Sequence, residues 1–203
     1  MDNANGGEPY IGDDYEANLE EAKQLMAEAG YPDGFTCSLM IADSSLRNSM
    51  ALAIQEQLAQ IGITVNINKV STDEHTAYQF GEKLDANGLR DYDMIMAGWE
   101  ADYPDPSGNL TPLYQGGNSA NAAAYQNDEV DKLIADQAQN SDPTQRNDDM
   151  FQAFDIITKD VPYVFLYYPV KNIAMNKAYT GVTMNASWIW NIHFQSVHPV
   201  SEG

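Results

Sequence analysis

Trp99 and Asp102 stand three residues apart at the end of an apolar run, Met94-Ile95-Met96-Ala97-Gly98, within the stretch Trp99-Glu100-Ala101-Asp102-Tyr103-Pro104-Asp105-Pro106. The indole offers a flat apolar wall and the carboxylate a fixed negative charge. That pair suits a ligand with an ammonium group beside apolar parts, such as the amino end of a peptide. Two prolines stop any regular element, so the pair belongs to a loop, and a loop held by a rigid strand is where binding groups concentrate. The same residue types have plainer uses. An aspartate there can cap a turn, and a tryptophan can fill a core. Asp105, between two prolines, reads as structural, and Glu100 as facing solvent. Asp102 and Asp105 lack the alternating oxygen ligands and central glycine of a calcium loop, so no metal site is expected.

The remaining chemistry-bearing residues are scattered. His75, His193 and His198 are isolated from one another, with no zinc-protease spacing. Cys37 is the only cysteine, so an intrachain disulfide and a multi-cysteine metal site are both excluded. It alternates with Phe35 and Leu39 and reads as a small buried hydrophobe. There is no Gly-rich phosphate loop, nucleophile elbow or Cys–His motif, and no cofactor is expected. The enzymatic alternative is a carboxylate-pair hydrolase using Asp102 and a distant Asp or Glu. A third alternative is a sugar receptor, with Trp99 as platform and Asn118 and Asn121 as neutral hydrogen bonders. The formal net charge of -20, from 30 acidic against 10 basic residues, argues against nucleic acid, which needs Lys and Arg to displace phosphate counterions. It also disfavours anionic lipid and is most simply a solubilising surface.

The elements that must position the loop follow from periodicity. Leu19, Ala22, Met26 and Ala29 repeat at helical spacing before Gly30. Phe35 to Ile41 reads as a strand. A helix carrying Met50, Ile54, Leu58 and Ile61 follows, with Asp43, Ser44 and Ser45 as candidate N-caps and Gly62 as its stop. Ile63, Val65 and Ile67 alternate with polar residues, giving a second strand. Strand-helix-strand implies parallel pairing with a right-handed crossover. A weaker helix spans 72–84, and 92–99 reads as a core strand buried on both faces. A short helix is expected at 106–114 and a Gly/Asn/Ala-rich loop at 115–125. Next come a helix opening at Asn127-Asp128, with Val130, Leu133, Ile134 and Ala138 inward, and one opening at Asp142-Pro143-Thr144-Gln145 with a capping box. The latter buries Met150, Phe154 and Ile157. Val161 to Tyr168 is strongly strand-like and Asn172 to Asn176 weakly so. From Gly181 onward the chain lacks a period and reads as an arm needing a partner surface, with Trp188 and Trp190 on one face. No apolar run reaches membrane-spanning length. The opening residues lack the basic region and apolar core of a signal peptide.

Several segments together resemble one family, the extracytoplasmic solute-binding proteins of peptide-type ABC transporters (family 5). They are 21–35 (EAKQLMAEAGYPDGF), 54–63 (IQEQLAQIGI), 99–106 (WEADYPDP), 127–134 (NDEVDKLI) and the helix from Arg146 to Pro162. Their collinear order is more specific than any one of them. The resemblance implies a periplasmic-binding-protein-like (type II) α/β lobe, with a mixed, mostly parallel sheet flanked by helices and a C-terminal arm. Residues 1–14 would be a flexible leading segment, 15–168 the second lobe and 169–203 an arm packing on a first lobe that these residues do not include. It further implies capture of a di- or oligopeptide between two lobes, delivery to a membrane permease without covalent chemistry, and a periplasmic or lipid-anchored cell-surface location. Oligosaccharides and metal complexes are the alternative solutes on the same fold. Asp102 matches the aspartate that takes the α-ammonium of the ligand, and the implied ligand-facing set is Asp102, Trp99, Gly98, Ala101, Tyr103 and Asn118.

Overall fold

A computed structural model describes residues 14–170, 172–183 and 194–200. Helix α1 (Tyr15–Glu28) starts where the Asp14 carboxylate accepts from the Ala17 N–H. Strand β1 (Thr36–Ala42) leads through Ser44, whose side chain caps the Arg47 N–H, into α2 (Ser45–Ala59) and then β2 (Thr64–Val70). β1 and β2 pair in parallel with Leu39 opposite Ile67, as the strand-helix-strand order requires. Helix α3 (Thr72–Gln79) is capped by Ser71 and ends five residues before the expected limit at Leu84. The third strand, β3, is only Met94–Ile95, and the sheet order is β2-β1-β3.

The strand buried on both faces is therefore β1, not 92–99. Leu39, Met40, Ile41 and Ala42 are all buried in succession, the continuous hydrophobicity expected of a central parallel strand. Met94 and Ile95 are half-buried at the sheet edge. Only two residues pair because the chain then leaves the ladder after the Met96 N–H bonds to the Met40 carbonyl, 2.9 Å. Cys37, Leu39, Ile41, Ala51, Ile63, Val65 and Met96 form the core of this half, so Cys37 is the buried hydrophobe expected.

The second half is helical: α4 (Ser107–Tyr114), α5 (Asp128–Gln139) and α6 (Pro143–Asp160). Its core joins Leu110 and Tyr114, Val130, Leu133 and Ile134, and Met150, Ala153 and Ile157. Asn127 caps α5. Ala138 is exposed and Gln137 takes the inward position, because a helix stripe at spacing three and four from Val130, Leu133 and Ile134 continues to 137. Phe154 is half-buried at the margin of the core. Asp142 caps α6 through the Thr144 N–H, 2.9 Å, but there is no capping box. Gln145 points forward to Asp149 and the Asp142 N–H goes to Asn140.

The strongly strand-like run 161–168 is not a strand. Helix α6 stops because Pro162 disfavours the helical region for the residue before it, and Val161 is turned into the left-handed region, φ 47°. Tyr163 still docks, its ring edge-on to Tyr114 at 5.5 Å and its hydroxyl bonded to the Leu113 carbonyl and the Ala123 N–H. Beyond it, Val164, Phe165, Leu166, Tyr167 and Tyr168 are exposed and pair with no strand among the described residues. Residues 172–176 likewise form no strand. The two last strands, β4 (Tyr179–Thr180) and β5 (His198–Pro199), pair antiparallel. Trp188, Trp190 and His193 lie outside the described residues.

Candidate functional site

After β3 the chain crosses from the sheet half to the helical half, and its side chains and carbonyls are pinned on both banks. On the sheet side, two residues of α3 reach across. His75 Nε2 lies 3.1 Å from the Met96 carbonyl and Gln79 Nε2 lies 2.9 Å from the Gly98 carbonyl. A carbonyl oxygen only accepts, so the His75 ring carries its proton on Nε2. Burial, then the positive charge of Arg47, lowers the His75 pKa.

On the helical side, Trp99 Nε1 donates to the Gly108 carbonyl at 2.9 Å. The local sequence explains this bond. In a regular helix that carbonyl would accept from the N–H four residues on, which is Pro112, and proline has none. The indole of Trp99 fills the vacancy. Gly108 also permits close approach, since a Cβ there would stand 3.1 Å from the Ala101 Cβ and 3.3 Å from the Tyr103 carbonyl.

The far end of the loop is tied by charge. The Asp105 carboxylate accepts from the Ser107 N–H (2.9 Å) and hydroxyl (2.6 Å), and from Arg146 of α6 through both Nη2 (2.7 Å) and Nη1 (3.0 Å). This two-pronged pairing, with the Ser107 bonds, holds the carboxyl well below the usual carboxylate range. Asp105 is the structural residue its position between prolines suggested.

Between these ties the expected ligand-facing residues have different surroundings. Trp99 and Ala101 are half-buried, whereas Gly98, Asp102 and Tyr103 are exposed. The Tyr103 hydroxyl lies 3.3 Å from Ser107 Oγ. Asp102 has no hydrogen bond or ion pair among the described residues, so it caps no turn. Asn118 is half-buried and its Oδ1 accepts from the Ala120 N–H; no hydrogen bond ties it to the Gly98–Tyr103 segment among the described residues. Asn121 is consumed internally, with its amide bonded to the Gln115 and Tyr125 main chain, and is not free to bind a sugar.

Arg90 was not singled out by its sequence context, yet it joins the two loops. Its guanidinium donates to the Tyr78 and Gln79 carbonyls at the end of α3 and to the Ser119 and Asn121 carbonyls of the 115–125 loop. Tyr92 adds a bond to the Ala122 carbonyl, 2.7 Å. His75 and Gln79 were equally hidden as a pair. The available signal was their spacing of four, which puts both polar side chains on one helix face. Both are buried.

The family described as bacterial extracellular solute-binding proteins, family 5 Middle, matches residues 2–121. The chain belongs to that family. Among curated relatives, the glutathione-binding protein GsiB of Salmonella paratyphi A is 33% identical over 169 residues, 79% of this chain and 32% of that protein. This chain thus spans about a third of the length of the curated relatives it matches. Among solved structures, the periplasmic binding protein DppA from Helicobacter pylori, in complex with the peptide STSA, is 32% identical with a TM-score of 0.63, over 78% of this chain and 30% of that one. The oligopeptide-binding protein AppA from Bacillus subtilis, in complex with a nonapeptide, is 25% identical with a TM-score of 0.73, over 95% of this chain and 40% of that one. These neighbours fix the fold as a type II periplasmic-binding-protein α/β arrangement, with helices flanking a parallel sheet.

Proposed function

We propose that this chain is the second lobe of an extracytoplasmic peptide receptor serving an ABC importer. Residues 15–168 form the lobe and 169–203 the arm that returns to a first lobe. The solute is a di- or oligopeptide. Asp102 takes its α-ammonium, Trp99 and Tyr103 flank its first residues, and Gly98, Ala101 and Asn118 line the approach. The observation that carries this reading is the state of Asp102: an exposed carboxylate without a partner among the described residues, on a loop tied down on either side. The peptides named for the relatives' structures support it. Closure of a first lobe over the loop would remove water, weaken screening and strengthen the charge pair. The ligand stabilises the closed form by touching both lobes. The exposed apolar run 164–168 and Val170 suit the first lobe as partner, and the closed receptor would dock on a membrane permease. No nucleic acid or cofactor takes part, and the reported relatives are binding proteins rather than enzymes.

The test is calorimetric titration of the two-lobed protein carrying this chain with short peptides and their N-acetylated counterparts. Free-amine peptides should bind and acetylation should abolish most of the affinity. Equal binding of both forms would end the assignment of Asp102 as the amine anchor.

A further inference from the structure

We infer that α3 is the positioning element of the ligand loop, with His75 and Gln79 acting as a surrogate neighbouring strand for it. This rests on the proposed peptide site only in calling the loop ligand-binding; the positioning itself is a separate claim about the fold.

The Met96 N–H makes the last bond to β1, and beyond it the loop has left the sheet, so the Met96 and Gly98 carbonyls have no ladder partner among the described residues. Main-chain carbonyls left unpaired against a packed face are costly. An extended chain repeats the direction of its carbonyls every second residue, a distance of about 6.6 Å. A helix advances about 6.0 Å in four residues. Side chains four apart on α3 can therefore meet carbonyls two apart on the loop, and His75 with Met96 and Gln79 with Gly98 do so at 3.1 and 2.9 Å. Both side chains are buried, which shields the His75 bond fully and the Gln79 bond in part from water.

Gln79 has a second connection. Its main-chain carbonyl accepts from Arg90, which also holds Ser119 and Asn121. One residue thus holds the Gly98 side of the loop by its side chain and the 115–125 loop by its backbone. A side-chain substitution at Gln79 cuts the first link and leaves the second in place. Trp99 immediately follows Gly98, so the α3 clamp sets where the indole and then Asp102 emerge. His75, Gln79 and Arg90 are positioning residues and need not touch the ligand.

The test uses the 203-residue chain and hydrogen exchange of the Trp99 indole N–H, read by NMR and assigned with Trp99→Phe. That proton is bonded to the Gly108 carbonyl and reports opening of the loop from α4. Gln79→Met and His75→Leu each delete one donor with an apolar side chain of similar size. Each should speed indole exchange about three- to tenfold, the scale of one hydrogen bond in a local opening equilibrium. His75→Gln retains a donor at the same reach and should return exchange to within about twofold of the parent. The Ile134 amide in α5 serves as the distant control and should not change. Unchanged indole exchange in both deletion variants would overturn the inference, as would failure of His75→Gln to rescue or an equal rise at Ile134. Because no peptide enters the measurement, a receptor that failed to bind peptides would leave this result standing.

Discussion

Within the loop after β3, Asp105 accepts four hydrogen bonds from Ser107 and Arg146, whereas Asp102, three residues earlier, accepts none among the described residues. The two carboxylates share a loop but not their surroundings. One has its charge neutralised by a guanidinium from α6 and its lone pairs filled. The other is held out, its loop fixed at Gly98, Trp99 and Asp105 and its own oxygens unoccupied. The contrast separates a residue that maintains the loop from one that, among the described residues, does not.

The largest expected effect breaks that contrast at its presented end. Asp102→Asn should cost about 2–5 kcal/mol of peptide affinity in the two-lobed protein, the scale for truncating one partner of an enclosed charge pair. It should leave thermal stability nearly unchanged, since exposed sites lacking such features usually stay within about 0.5 kcal/mol. Calorimetry and a melting curve on the same variant check both halves. A stability loss as large as the affinity loss would make Asp102 a structural residue like Asp105.

Asp105→Asn should do the reverse. The pair with Arg146 is about a third exposed on each side, so its value is discounted for solvent screening to about 1–2 kcal/mol of stability, with its two-pronged geometry at the upper end. Denaturant unfolding measures it. The same variant has a pH signature. The folded Asp105 pKa lies below the ordinary 3.8, so the stabilisation is fully present above that value and is lost as pH falls through it towards the folded pKa. Between pH 5 and pH 2 the parent should lose more stability than Asp105→Asn. Parallel curves would show that the pair contributes little.

Much of this contrast was legible in the residues. Proline on both sides marked Asp105 as structural, and the apolar run followed by Trp99 and Asp102 marked the loop. The caps Ser44, Asn127 and Asp142 were readable because a side-chain acceptor before an apolar period has a local cause. What failed was pairing. Residues 92–99 and 161–168 both carry strand-like hydrophobicity, yet the first contributes two paired residues and the second none. Composition reports that a segment tends to be extended; a ladder also needs a free neighbouring edge. The clamp from His75 and Gln79 and the Arg90 staple were hidden for a related reason: they satisfy main-chain carbonyls, and any residue supplies a carbonyl.

The smallest expected effect lies earlier in the loop, at Trp99. Its indole satisfies the Gly108 carbonyl that Pro112 leaves unpaired. Trp99→Phe should therefore cost about 0.5–1.5 kcal/mol of stability through the lost bond. Replacing Pro112 by Ala supplies the missing helical N–H to the same carbonyl. In that background the carbonyl no longer depends on the indole, so the cost of Trp99→Phe should shrink. A double-mutant cycle over Trp99 and Pro112 reads the difference as a coupling energy. Additive effects would mean that the ring is held by packing alone. Coupling would instead make the proline in α4 the reason a tryptophan, rather than any aromatic residue, stands three positions before Asp102.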